Sequence, residues 1–393
     1  MTHPLIIDAL RTPRGRGNAK GALAGTAPVD LLAAPLAVLA ARHDLAAREI
    51  EDAIFGCVTQ TADQGACIGK LALIAAGYPD AVPGLTINRY CASGLSAVAF
   101  AARQAMAADG LAIGGGVESM SRVPMAADKG PLTHDTAFQK AHALVPIGLA
   151  ADAVATMEGF DRASCDAYAA ESQARAAAAQ AGGRVGGLVT LEALAADETP
   201  RPGTTAEKLA TIEPAFAEMG AKWGIDAALC ARLGLPAIDH VHHAGNSPAM
   251  ADGAAAVLVA SPAAAAREGL RARARILAVA DVSVDRTLAL TGAVDATQRA
   301  LARAGLSAAD IDLFEINESF AALMLHYARH MGIGADRLNV NGGAIALGHA
   351  MGATGAVLLG TLLDELERRD ARRGVVALCG AAGLATAMVI ERA

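Results

Sequence analysis

The sequence predicts an α/β protein made of two duplicated halves, with an insertion in the first half. Three observations carry this. Short apolar runs alternate with longer stretches whose apolar residues recur at helical spacing. Segments of the first half return in the second at a near-constant offset: Leu45 and Leu306, like Ile50 and Ile311, lie 261 residues apart, and Leu111-Ala112-Ile113-Gly114 precedes Val376-Ala377-Leu378-Cys379 by 265. The stretch from about 121 to 243 has no such counterpart.

In chain order, Leu5 to Ala9 reads as a short strand. Asp30 to Ala41 reads as a helix with Asp30 as its cap. Ile54 to Val58 reads as a strand, and Leu85 to Asn88 as an extended segment. Ser93 to Ala107 is alanine-rich, without breakers after Gly94, and reads as a helix. Leu111 to Val117 is a strand running into glycines. The insertion holds Trp223 and loop signals such as Pro200-Arg201-Pro202-Gly203. The strands Ala255 to Ala260, Leu313 to Ile316 and Val375 to Leu378 follow. Leu338 to Leu363 contains no Asp, Glu, Lys or Arg, but Asn339, Asn341, His349 and several glycines interrupt it. It reads as a buried strand, a glycine loop and a buried helix, so no transmembrane segment is expected.

The composition excludes other classes. Of 393 residues, 53% are hydrophobic, 3% aromatic and 19% charged, with a formal net charge of -7. So apolar a chain does not stay disordered. A mildly acidic chain with few aromatics is a poor nucleic-acid partner. The thiols Cys57, Cys67, Cys91, Cys165, Cys230 and Cys379 lie far apart, with no C-x-x-C pair and no zinc-like cluster. That usage predicts no metal and a reducing compartment. No basic stretch followed by an apolar one opens the chain, so no export signal is expected and a cytoplasmic location is.

Four residues stand at positions suited to chemistry. Cys91 lies before a predicted helix start with small neighbours; the helix N-terminus is expected to favour its thiolate. A buried structural thiol is the alternative. His349 ends Gly342-Gly343-Ala344-Ile345-Ala346-Leu347-Gly348-His349, again before a predicted helix, and could serve as a base. The repeat puts Cys91 and His349 at corresponding ends of the two halves, so a pseudo-twofold would let them meet. Cys379 ends a strand before Gly380-Ala381-Ala382-Gly383 and could be an acid or base, or a packed small hydrophobe. Asn317 follows Glu315-Ile316 and could hold a water or an oxyanion, or cap a helix, with Glu318 solvated beside it. His242 and His243 read as structural or exposed. Met120, Met125, Met157 and Met250 could line an acyl pocket or fill the core.

Together these segments resemble the thiolases over essentially the whole length. The resemblance rests on Arg11-Thr12-Pro13, Asn88-Arg89-Tyr90-Cys91-Ala92-Ser93-Gly94, Gly115-Gly116-Val117-Glu118-Ser119-Met120-Ser121 and Ala244-Gly245-Asn246-Ser247. It continues through Asp252-Gly253-Ala254-Ala255, Asn317-Glu318-Ser319-Phe320, Asn339-Val340-Asn341-Gly342-Gly343 and the Cys379 turn. Arg11-Thr12-Pro13-Arg14-Gly15 and Val241-His242-His243-Ala244-Gly245-Asn246 look most like degradative thiolases, including subunits of bacterial fatty-acid oxidation complexes.

The resemblance implies two duplicated core domains layered α-β-α-β-α with a loop-domain insertion: residues 1–120 with 249–270, 121–248, and 271–393. It implies thiolytic cleavage of 3-oxoacyl-CoA through an acyl-Cys91 intermediate. His349 would be the base that activates Cys91, and Cys379 the acid/base for the second substrate. One oxyanion hole would be Asn317 and His349 through a water; the other, the backbone N–H groups of Cys91 and Ala381. Ser247, Pro248, Gly380, Lys208, Lys222 and Arg232 are candidate CoA contacts. Coenzyme A is a substrate, with no permanently bound cofactor. A homodimer or homotetramer is expected, and an α chain of an oxidation complex as a further partner. Alternatives are acetoacetyl-CoA condensation, a weakened acyl-CoA-binding subunit, or a ketosynthase-like enzyme. The chain departs from the family pattern at Ala350 (usually Pro), Ala381 (usually Gly), Pro248 (usually Ser), Ser319 (usually Ala) and Pro146-Ile147-Gly148. Ala381 is expected to test a special backbone angle, and Pro248 to weaken pantetheine binding.

Overall fold

The computed structural model describes residues 2–393. Ten strands make one mixed sheet: β1 (Leu5–Arg11), β2 (Gly15–Arg16), β3 (Ile50–Gly56), β4 (Leu85–Ile87), β5 (Leu111–Ser119), β6 (Ala251–Ala260), β7 (Ala274–Ser283), β8 (Leu313–Ile316), β9 (Arg373–Cys379) and β10 (Leu384–Arg392). Their order is β4-β3-β5-β6-β1-β7-β10-β9-β8, with β2 on β6. The longer helices are α1 (Pro28–His43), α2 (Ile68–Ala75), α3 (Ser93–Ala108), α4 (Ile147–Glu158), α5 (Arg162–Ala181), α6 (Gly292–Ala304), α7 (Ala321–Met331) and α8 (Met351–Arg368).

The order is palindromic about β1 and β7. On each side an antiparallel run (β1-β6-β5 and β7-β10-β9) ends in a parallel pair, β5 with β3 and β9 with β8. The sheets of the two halves are joined where Leu5 and Ile6 pair with Arg275 and Ala274. The duplication read from the offsets is therefore present in the hydrogen bonding.

Alternation along the strands separates three cores. Ile6, Ile54, Ala112, Val257, Ile276, Val376 and Met388 face a middle layer filled by α3 and α8. The opposite face of the first half, including Ile7, Phe55 and Ile113, packs on α1 and α2. The opposite face of the second half, including Phe314, Val375 and Val389, packs on α6 and α7. The layers run α-β-α-β-α, as the family resemblance implied.

Several local expectations shift. Helix α1 begins at Pro28 after Ala27, not at Asp30; proline's fixed φ opens it, and Asp30 instead lies in the first turn. The strand expected over 54–58 is Ile50–Gly56, set by its parallel register with β5. No strand forms at Leu338, which makes one bridge to Phe314. Asn339 takes its place: its Oδ1 accepts from Ile316 N at 2.7 Å and its Nδ2 donates to Ile316 O at 2.9 Å, so a side-chain amide completes the edge of β8. Among the described residues, no helix is long and apolar enough to cross a membrane.

Alanine and glycine set the spacing of the middle layer. A Cβ on Gly352 would lie 2.7 Å from Val117 O and 2.8 Å from Gly56 O; one on Gly94 would lie 2.7 Å from Gly352 O. Backbone touches backbone where the N-termini of α3 and α8 meet the ends of β3 and β5. Gly352→Ala is expected to destabilise the protein by about 1–3 kcal/mol through overpacking. A wild-type denaturant midpoint for this variant would contradict the close approach.

Candidate active site

Cys91 sits two residues before α3 on a loop pinned from several sides. Tyr90 N donates to Asn88 Oδ1 at 2.8 Å, and Arg89 N donates to Ser93 Oγ at 2.7 Å. Ser93 Oγ donates to Tyr90 O, and Arg89 reaches Asp281 Oδ1 on β7 at 2.6 Å. Tyr90 has φ +48°, a left-handed conformation that costs an L-residue about 1–2 kcal/mol. The surrounding bonds hold that strain directly before the thiol.

His349 occupies the corresponding place two residues before α8. Gly348, at φ +84°, turns the chain, and His349 N donates to Ala249 O at 2.8 Å. Its Nδ1 lies 2.8 Å from Thr354 Oγ1 on the first turn of α8, fixing the ring. Its Nε2 is buried without a partner. Burial lowers the His349 pKa to about 4, so the imidazole is neutral near pH 7.

Cys379 ends β9, and its Sγ lies 2.8 Å from Ser319 Oγ, which accepts from Asn317 Nδ2 at 3.2 Å. Asn317 Oδ1 has no partner. The Cys379 turn touches the Cys91 loop: a Cβ on Gly380 would lie 3.3 Å from Arg89 O and from Tyr90 Cβ. The structure thus brings Cys91, Cys379 and Asn317 together, with His349 at the helix start that abuts α3.

The thiols behave differently from expectation. Burial pushes the Cys91 thiol up to about 12, with Cys379 and Glu118 adding to the rise. Desolvation is the largest influence on this sulfur and favours the neutral thiol, whose proton then leaves as a bond forms. Burial likewise raises Cys379 to about 11, opposed by the Ser319 hydrogen bond.

The second glycine turn also differs. The left-handed angle expected at Ala381 falls on Ala382 (φ +56°), followed by Gly383 (φ +82°). Gly380 N is already engaged, donating to Leu384 O at 2.6 Å. Asn317 caps no helix, because α7 begins at Ala321 with Phe320 before it. Glu318 is buried, not solvated, and accepts from Tyr168 Oη, Ser172 Oγ and Ile345 N at 2.8–2.9 Å. That carboxylate ties α5 to the loop leading to His349.

Other sequence candidates find ordinary work. His242 Nδ1 lies 2.7 Å from Asp152 Oδ1, and His243 Nε2 lies 2.8 Å from Asp166 Oδ1; both rings are buried and structural. Met120 is core, whereas Met125, Met157 and Met250 are exposed. Lys208 Nζ donates to Gly203 O, and Arg232 pairs with Asp285 at 2.8 Å. Lys222 is exposed and in no ion pair among the described residues. Ser247 Oγ is buried without a partner, next to half-buried Pro248. For a metal, Glu158, His326 and His330 alone among the described residues bring three donors close together. Arg329 already neutralises that carboxylate at 2.9 Å, and the cavity beside it includes none of the four candidate catalytic residues.

Sequence reasoning missed Glu118 as a supporting residue. It ends the fully buried strand β5 and accepts from Val58 N (3.0 Å), Thr59 N (3.1 Å), Gln64 Nε2 (2.9 Å) and Gly352 N (2.9 Å). It thereby fixes the start of α8. The only signal was an acidic residue closing a strand without other charges. Glu118→Ala strands four donors and is expected to cost about 3 kcal/mol or more in unfolding free energy, with a fall in turnover as α8 shifts. Unchanged stability by denaturant titration would refute this role.

Comparison with known proteins places the arrangement. The family profile described as thiolase, N-terminal domain, matches residues 5–228, and that described as thiolase, C-terminal domain, matches residues 270–392. A 3-ketoacyl-CoA thiolase of Citrobacter koseri is 39% identical over 100% of this chain and 99% of its own. One from Erwinia tasmaniensis is 40% identical over the full length of both chains, and one from Salmonella typhimurium 38% over the same span. With two thiols, an imidazole and an amide gathered where its two halves meet, and with both family profiles matched in order, this chain belongs to the thiolase family.

Proposed function

We propose that this thiolase cleaves 3-oxoacyl-CoA with coenzyme A, giving acetyl-CoA and a shortened acyl-CoA through an acyl-Cys91 intermediate. The observation that carries the reading is the contact between the Cys91 and Cys379 loops, with Cys379 bonded through Ser319 to Asn317. Full-length relatives named 3-ketoacyl-CoA thiolase support the substrate class. The enzyme is an acyltransferase.

The steps follow from the groups. Cys91 Sγ attacks the 3-keto carbon while its proton passes to His349 Nε2, which is neutral and unpartnered. The Cα–Cβ bond breaks, and acetyl-CoA departs as an enolate. Cys379 protonates the enolate carbon. Cys379 then takes the proton of incoming CoA, whose thiolate attacks acyl-Cys91; the acyl C–S bond to Cys91 breaks, and the departing Cys91 sulfur takes back its proton from His349 Nε2. We assign the enolate oxygen to a water on Asn317 and His349, and the Cys91 thioester oxygen to the N–H groups of Cys91 and Ala381. The unpaired Asn317 Oδ1 and His349 Nε2 support the water-bearing site. No permanently bound cofactor enters these steps.

The CoA contacts belong to the same reading. We propose that the insertion, residues 121–248, carries them, within first-half residues 1–120 and 249–270 and ahead of the second half, 271–393. Ser247 offers an unpartnered hydroxyl beside Pro248, at the position where proline has removed one. Lys222 is better placed for phosphate than Lys208 or Arg232, whose charges are engaged. Fatty-acid breakdown in the cytoplasm is the setting this implies, and six free thiols agree with a reducing compartment. The insertion exposes Met125, Phe138, Ile147, Met157, Ile212 and Trp223, a surface suited to an α chain of an oxidation complex.

A homodimer or homotetramer is supported by the free edge of the sheet. Strand β4 is terminal, and Leu85 on it is exposed beside Leu71 and Ile74 of α2. Leu85→Lys is expected to shift the protein toward monomer in light scattering behind gel filtration; an unchanged mass would count against this edge. For the reaction, Cys91→Ala is expected to abolish CoA-dependent cleavage of 3-oxoacyl-CoAs at every chain length, and wild type is expected to show ping-pong kinetics. Equal activity in the two proteins would sink the mechanism.

A further inference from the structure

We propose that the Ser319 hydroxyl is a positioning residue for Cys379: it stabilises the thiolate through which Cys379 passes between its acid and base roles, and it ties that sulfur to Asn317. The proposal rests on the acid/base role assigned to Cys379 above.

Direction comes from the hydrogen-bond inventory. Asn317 Nδ2 is a donor only, so Ser319 Oγ accepts there, at 3.2 Å. Ser319 Oγ lies 2.8 Å from Cys379 Sγ; the thiol can donate to it, but once the sulfur is a thiolate it has no proton, and the Ser319 O–H must be the donor. A thiol is a weak acceptor and a thiolate a strong, charged one, so this bond strengthens as charge appears on the sulfur. Ser319 is buried. Burial raises the Cys379 pKa, and the Ser319 bond is the largest influence opposing it.

The proton balance shows why this matters. Cys379 Sγ–H gives its proton to the enolate carbon; the enolate pair forms the new C–H bond, and the S–H pair stays on sulfur. The resulting thiolate then removes the proton of CoA, returning Cys379 to the thiol as the CoA thiolate attacks acyl-Cys91. The thiolate is thus an obligatory state between the two half-reactions. A donor aimed at it lowers a barrier in either direction.

The other titratable groups near the sulfur are few. Cys91 approaches from the loop before α3, and any charge there raises Cys379 as Cys379 raises Cys91. Across β10 the paired residue is Ala385, and beyond it Val282 on β7; the neighbouring Asp281 is held in an ion pair with Arg89. The cluster that holds Cys379 takes Ala293 and Val294 from α6 and Leu323, Met324 and Tyr327 from α7; the Tyr327 phenol bonds Thr297 and burial raises its pKa, while Glu318, next to Ser319, is engaged by Tyr168, Ser172 and Ile345. In the resting enzyme His349 is neutral above about pH 4; while Cys91 is acylated it holds the Cys91 proton. The hydroxyl of Ser319 is the side chain that hydrogen-bonds the Cys379 sulfur directly.

The test is Ser319→Ala, with Ser319→Thr as rescue and Cys379→Ala as reference. Iodoacetamide alkylation is followed peptide by peptide, so that Cys91 and Cys379 are read in the same digest. Below its midpoint a thiol reacts in proportion to its thiolate fraction. Losing a hydrogen bond to a charged group is expected to slow Cys379 alkylation about tenfold at each pH, and to lower thiolysis kcat about tenfold with little change in KM. Cys91 alkylation should not move, and Ser319→Thr should restore both readings. An unmoved Cys379 rate in Ser319→Ala, or equal slowing of both cysteines, would overturn the proposal while Cys379→Ala remained inactive. Undiminished thiolysis by Cys379→Ala would instead overturn the acid/base role beneath it.

Discussion

The structure depends on one contact made without side chains. The first turns of α3 and α8 meet over the ends of β3 and β5, and Gly56, Gly94, Gly116 and Gly352 line the meeting place. Any Cβ there would press on backbone atoms, which cannot rotate away as a long side chain can. Cys91 and His349 each stand two residues before one of these helix starts. Glycine at these four positions lets two backbones share the space.

Buried carboxylates hold the rest in register. Glu118 binds the start of α8 to the loop after β3, and Glu318 binds α5 to the loop before His349. Asp197, from the insertion, takes Arg11 through both oxygens at 2.9 Å and also Arg14. Although burial raises it, the two guanidinium groups hold the Asp197 carboxyl well below the usual carboxylate range. Asp152 and Asp166 do similar work for His242 and His243. Each of these pairs is a long-range clamp whose removal would strand a buried partner.

Much of this was legible in the sequence. Leu313 to Ile316 and the helix after Cys91 are bounded by local signals, and the structure keeps those bounds within a residue or two. The duplication was visible because Cys91 and His349 each precede a helix start at matching places in the two halves. What escaped were effects set by distant residues. The state of the Cys91 thiol depends on burial and on Cys379 and Glu118, which no local window contains. Glu318 looked solvated because its donors, Tyr168, Ser172 and Ile345, lie about 150 residues before it or nearly 30 after it. Asn339 replaced a strand because its amide copies a backbone pairing, and hydrophobic pattern carries no trace of that.

The palindromic sheet has an evolutionary corollary. If two identical half-length chains had paired across β1 and β7, the symmetry would have put the same residue at both helix starts. A symmetric ancestor could offer two thiols or two imidazoles there, but not one of each. In a single chain that carries both halves the restriction is absent, and the two equivalent positions can differ, as Cys91 and His349 do.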